Sequence, residues 1–129
     1  MKHVTITCLL TLCSMGFSGT ATAQSTADKE FMGQLAALSL KGLTLTLKAD
    51  EDGLSAQLPQ YDQLLQTKGI SPACMEAAQA KRKAAVANLA YLNADEGSQD
   101  EVKAFEALAQ YGNVHDTKRL ACLGNPAKS

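Results

Sequence analysis

Tryptophan is missing from this chain of 129 residues, and three tyrosines and three phenylalanines make up its entire aromatic content. Branched aliphatics are nearly as scarce, since beyond residue 23 only Ile70, Val86, Val102 and Val114 occur. Strands draw on branched and aromatic side chains, whereas alanine and leucine lose little on entering a helix. A mostly β domain is therefore excluded, and an all-α fold is expected.

Ligating and catalytic residue types are equally thin. A zinc or copper site needs three or four clustered His, Cys or carboxylate ligands, and past residue 23 the chain has one histidine, His115, and two cysteines, Cys74 and Cys122. No metal and no cofactor are expected. The C-x-x-C-H signature of attached haem is absent, and His115 reads as an exposed residue at a helix start rather than a lone haem ligand. His115 and Asp116 are adjacent, so their side chains should diverge on a helix, and no triad is evident. Glu96 and Asp100 fall on a solvated link without an aromatic platform for sugar, and Asp50, Glu51, Asp52 and Gly53 lack the oxygen frame of a calcium loop. No glycine-rich phosphate loop follows a strand. The chain does not read as an enzyme.

A marked excess of either charge is missing too, with 12 basic and 13 acidic residues. The formal net charge is −1, so no strong field points to nucleic acid or an anionic membrane.

What is present begins with the leader. Lys2 precedes an uncharged stretch from Val4 to Phe17, and small residues then lead to Ala21, Thr22 and Ala23. That is the pattern of a secretory signal peptide over residues 1–23, cleaved after Ala23. It is shorter than the roughly 20 apolar residues of a membrane span, and Thr5, Thr7, Thr11, Ser14 and Ser18 interrupt it. Cys13 is a poor lipoprotein cysteine because bulky Leu12 precedes it, so no lipid anchor is expected. Residues 24–129 remain as a single helical domain.

Export changes what the cysteines mean. Cys8 and Cys13 leave with the leader, and Cys74 and Cys122 form an even pair in an oxidising compartment. A Cys74 to Cys122 disulfide is predicted, and closing a loop of that length stabilises a fold by about 4 kcal/mol in the chain-entropy model. Without C-x-x-C spacing the bond reads as structural rather than redox-active.

Five helical segments can be read. Ser25 or Thr26 caps the first, with Asp28 and Glu30 in its opening turn. Its apolar stripe runs through Phe31, Leu35, Leu38 and Leu45, with Met32, Ala36, Leu40, Leu43 and Leu47 beside them. Leu43 to Leu47 alternates as a strand would after Gly42, but helix is the reading taken. A second helix is predicted from Pro59 to Lys68, ending at Gly69, with Asp50 to Gly53 as a solvated loop. The longest runs from Ser71 and Pro72 to Ala94 and carries a narrow alanine face that lets a neighbour approach closely. Ser98 and Glu101 form a capping box for a short helix through Val102, Phe105, Leu108 and Ala109 that Gly112 terminates. The last spans Val114 to Leu123, before Gly124 and Pro126. Short links between them favour a small up-and-down bundle of four to five helices with one disulfide.

Two features suggest binding. Lys81, Arg82 and Lys83, with Lys118 and Arg119, could receive an acidic partner, against the plainer reading of a wet face on which Glu76 pairs with Lys83. The leucine stripe of the first helix is wide enough to face a partner subunit, a homodimer included, although burial in the core is the preferred reading. In style the chain resembles small exported helical proteins of bacterial envelopes. The function expected is that of a periplasmic or secreted protein that binds another protein, ranked first as an inhibitor or immunity protein against a periplasm-acting toxin. A periplasmic chaperone or secretion-assembly factor comes second. The contrasting reading is a small-molecule or haem carrier with its pocket between the long helix and the first.

Overall fold

The computed structural model describes residues 24–124. The leader expected over residues 1–23 and the stop expected at Pro126 lie outside them. Four helices follow one another: α1 (Thr26–Leu47), α2 (Glu51–Leu64), α3 (Pro72–Asn93) and α4 (Gln99–Cys122). No strand occurs among the described residues. The bundle is all-α, as the composition indicates, with α3 packed against each of the other three.

Ser25 opens α1, its hydroxyl accepting the backbone N–H of Asp28 at 3.1 Å. The alternating segment Leu43 to Leu47 is helical. Thr44 and Thr46 turn their hydroxyls back to the carbonyls of Leu40 and Gly42, which satisfies both polar groups without a strand partner. The helix ends in a Schellman motif: Asp50 N–H bonds to the carbonyl of Leu45, and Ala49 N–H to that of Thr46. The motif requires a left-handed residue, and Ala49 occupies it at φ 51° where glycine is usual.

The second helix differs from expectation. It starts at Glu51, eight residues before Pro59, because Asp50 caps it by accepting the N–H of Gly53 at 2.9 Å, and Glu51 and Asp52 suit the positive end of the helix. Pro59 lies inside it. An interior proline costs about 3 kcal/mol, yet Pro59 is on the exposed side and Leu54, Gln57, Tyr61 and Leu64 bury the opposite one. Burial of that face outweighs one missing bond. Gly53 gives this corner room, since a Cβ there would stand 2.6 Å from the capping Asp50 Oδ2 and 2.7 Å from Leu45 Cδ2, and both side chains would have to shift.

Helix α3 matches its predicted bounds but is not the longest, having 22 residues against 24 in α4, and its buried positions include Cys74 and the alanines 77, 78, 80, 84 and 87. Ser71 gives it no side-chain cap. Asp28 of α1 stands in instead: buried at the start of α3, its carboxylate accepts the N–H of Ser71 at 2.9 Å.

The final segment is one helix, not two. Gly112 does not terminate α4, because packing against α3 continues from Ala104 to Cys122 and a mid-helix glycine costs only about 1 kcal/mol. Half of the predicted capping box is present, with Ser98 Oγ accepting Glu101 N–H; the Glu101 carboxylate accepts the N–H of Gly97, one residue before the cap, while that of Ser98 goes to the Asp95 carbonyl. The inward face also departs from the reading. Ala104 is buried while Val102 and Phe105 are exposed, because the small face of α3 accepts alanine rather than bulk.

Cys74 and Cys122 are disulfide-bonded, with Cα atoms 4.7 Å apart. Around them gather Phe31, Leu35, Tyr61, Leu64 and Ala78, so the densest core lies at the end where all four helices meet the bond. We expect Cys74→Ala/Cys122→Ala to lose about 4 kcal/mol in urea unfolding. Ala49→Gly, by relieving the left-handed alanine, should raise stability by about 1 kcal/mol in the same assay.

Candidate functional site

Away from the disulfide, the bundle opens. On α1 the residues Leu40, Leu43 and Leu47 recur at i, i+3 and i+7 and therefore share one side of the helix. They are 67 %, 57 % and 80 % exposed, so the preferred expectation of core burial fails for this half of the stripe. Phe31 and Leu35 are buried and Leu38 and Leu45 partly so. One helix can turn only part of its circumference inward, and the leucines of α1 cover more than that part.

Beside this row lies a cleft of 390 Å³. Met32, Leu35, Ala36, Ser39, Leu40 and Leu43 form its α1 wall, Lys81 of α3 lies at its base, and His115 and Arg119 of α4 face them. A second, smaller cleft of 210 Å³ shares Ser39, Leu43 and Lys81 and reaches Leu108 of α4 and Tyr61 of α2. Two side-chain bonds hold α1 in place along this stretch. Gln57, fully buried, donates its amide to the Leu38 carbonyl at 3.0 Å, and Asn88 of α3 donates to Thr46 Oγ1 at 2.7 Å. Gly42 leaves room for Gln57, whose Oε1 would be 2.9 Å from a Cβ at that position.

The basic residues that the sequence groups together are divided by the fold. Arg82 turns toward α2 and forms a bidentate pair with Asp62. Lys83 goes to the opposite side, 5.6 Å above the ring of Tyr111, in an open trough of 670 Å³ between α3 and α4. Lys118 pairs with Glu76 at 2.6 Å, the acid that was expected to meet Lys83. Only Lys81 and Arg119 come together, in the leucine-lined cleft, and among the described residues neither has a carboxylate partner.

His115 corrects another expectation. It lies in the middle of α4, its side chain is 14 % exposed, and its Nδ1 is 3.0 Å from Asp116 Oδ1, so the adjacent side chains meet rather than diverge. Burial lowers its pKa below the ordinary 6.5, the hydrogen bond to Asp116 opposes this, and the charges of Lys81 and Arg119 lower it further. Burial likewise raises the Tyr61 phenol above 10.0, with the Ser39 hydroxyl opposing. Among the described residues no three His, Cys, Asp or Glu side chains are grouped to hold a metal, and no helix is long and apolar enough to cross a membrane. No protein-family model matches the chain, and no significant match to it was found among curated proteins or solved structures.

The site is thus an amphipathic groove, apolar along α1 and cationic at its base and along α4. Sequence reasoning named its leucines and its cations separately and missed their juxtaposition. The excess width of the α1 stripe was the available signal. Because the folded protein disfavours protonated His115, stability is fully present above pH 6.5 and is lost as pH falls through the lowered value. His115→Gln should flatten that acid-side decline when chemical denaturation is compared at neutral pH and at about pH 5.

Proposed function

We propose that this chain is an exported helical protein that acts by binding another protein, with inhibition of, or immunity to, a periplasm-acting toxin as its first-ranked role. The observation that carries the reading is the exposed row Leu40, Leu43 and Leu47. Three leucines held in line by a rigid helix gain nothing from water. Covering them with a partner would contribute at about 25 cal/mol per Å² of apolar surface. Residues 1–23 supply the export pattern, and the disulfide is the bond an oxidising compartment maintains.

A binding role also suits the rest of the molecule. The alanine seam between α3 and α4 and the sulfur bridge make a stiff scaffold, and a surface presented without rearrangement loses less entropy on association. Among the described residues no three His, Cys, Asp or Glu side chains are grouped at the site.

The test is affinity capture from periplasmic extract in mild salt, using the wild-type chain and Leu40→Gln/Leu43→Gln/Leu47→Gln. The wild type should retain a defined protein, and the triple variant should hold it at least roughly tenfold more weakly, since central apolar anchors dominate interface energy. A secreted toxin as the retained protein would fix the first-ranked role, and a range of unfolded clients would shift it to a chaperone. If the wild type retains nothing, the reading fails.

A further inference from the structure

Resting on the protein-binding reading, we infer that the partner element seated in this groove is an acidic amphipathic helix, its apolar side against Leu40, Leu43 and Leu47 and its carboxylates toward Lys81 and Arg119. The groove has the form such an element needs. Two helices, α1 and α4, form its walls and α3 its base; the α1 wall from Met32 to Leu43 is about 16 Å long, the length of three helical turns, and Leu47 continues the row one turn beyond it. Leucines at i, i+3 and i+7 match the anchor spacing of a helix laid along a groove.

Charge selects the partner's sign. Arg82 and Lys118, the cations adjoining this region, are matched by Asp62 and Glu76, whereas Lys81 and Arg119 face the cleft without a carboxylate among the described residues. Asp116, beside the cleft histidine on α4, is engaged with His115. Further positive charge there would meet repulsion, and an acidic side chain would gain an unoccupied cation across an apolar wall. The leucine row of a second copy is a poor fit for the same reason. Beyond Glu30 the charged residues of α1 and its C-cap are Lys41 and Lys48, which would approach Lys81 and Arg119 with like sign.

A photoreactive benzoyl-phenylalanine placed at Leu43, and at Ala90 in the trough on the opposite side, tests the inference in cells expressing the full chain. The expected result is a cross-link from position 43 that mass spectrometry maps to an acidic, helix-forming segment of another protein. A synthetic peptide of that segment should then bind the wild type, and bind Lys81→Glu/Arg119→Glu at least roughly tenfold more weakly, while Lys103→Glu leaves its affinity unchanged. Lys81→Met/Arg119→Met should give a smaller loss in the same direction, which keeps the test decisive if charge reversal disturbs folding.

Affinity that does not respond to either double variant would overturn the inference, as would a cross-link to a basic segment, to a second copy or to the chain's own residues 1–23. Cross-linking to another protein from position 90 alone would overturn the groove assignment while leaving the protein-binding reading intact. Cross-linking from neither position would overturn both.

Discussion

The bond between Cys74 and Cys122 is the constraint on which the rest of the arrangement depends. It ties the first turn of α3 to the last turn of α4 and sits inside the cluster of Phe31, Leu35, Tyr61 and Leu64. Four helices of this size bury too little apolar surface to carry a large stability margin, so a covalent clip at one end is a substantial share of the total. From that end the α3 and α4 backbones run together along an alanine seam that admits no bulky residue. Asp28 adds a second fastening at the same end by capping α3 from α1.

Concentrating the core at one end leaves the other underfilled. With alanine on the contact face of α3, the larger residues Val102 and Phe105 of α4 are turned outward, and Phe105 finds only a tilted contact with Tyr91, 6.1 Å between ring centroids. α1 is likewise held by polar bonds from Gln57 and Asn88 toward its C-terminal half, where Leu40, Leu43 and Leu47 do not reach the core. The exposed row and the cleft beside it follow from this uneven filling. A bundle with bulky residues at the alanine positions would have distributed its core differently.

Electrostatics at the cleft follows the same geometry. Three consecutive basic residues on a helix diverge by about 100° each, so Lys81, Arg82 and Lys83 cannot all share one surface, although Arg82 and Lys83 both border the trough between α3 and α4. The fold gives each a different neighbour: the apolar cleft, Asp62 and Tyr111. Arg119, one turn beyond His115 on α4, restores a positive pair with Lys81. The lowered pKa of His115 registers that pair and its own burial together.

Local chemistry alone determined much of this protein. Composition set the all-α class, Ser25, Ser71 and Ser98 marked three helix starts, and the two cysteines beyond the expected leader implied one bond. These signals act within a few residues or through simple parity. Three matters belonged to the tertiary structure. Pro59 and Gly112 were breakers by propensity, and helix continued through both because long-range packing outweighed a cost of about 1 to 3 kcal/mol at each. The orientation of α4 was set by the alanines of α3, which lie in a different helix. Which leucines of α1 would face water could not be read from its periodicity, since a stripe wider than one contact face does not say which edge the neighbours will cover.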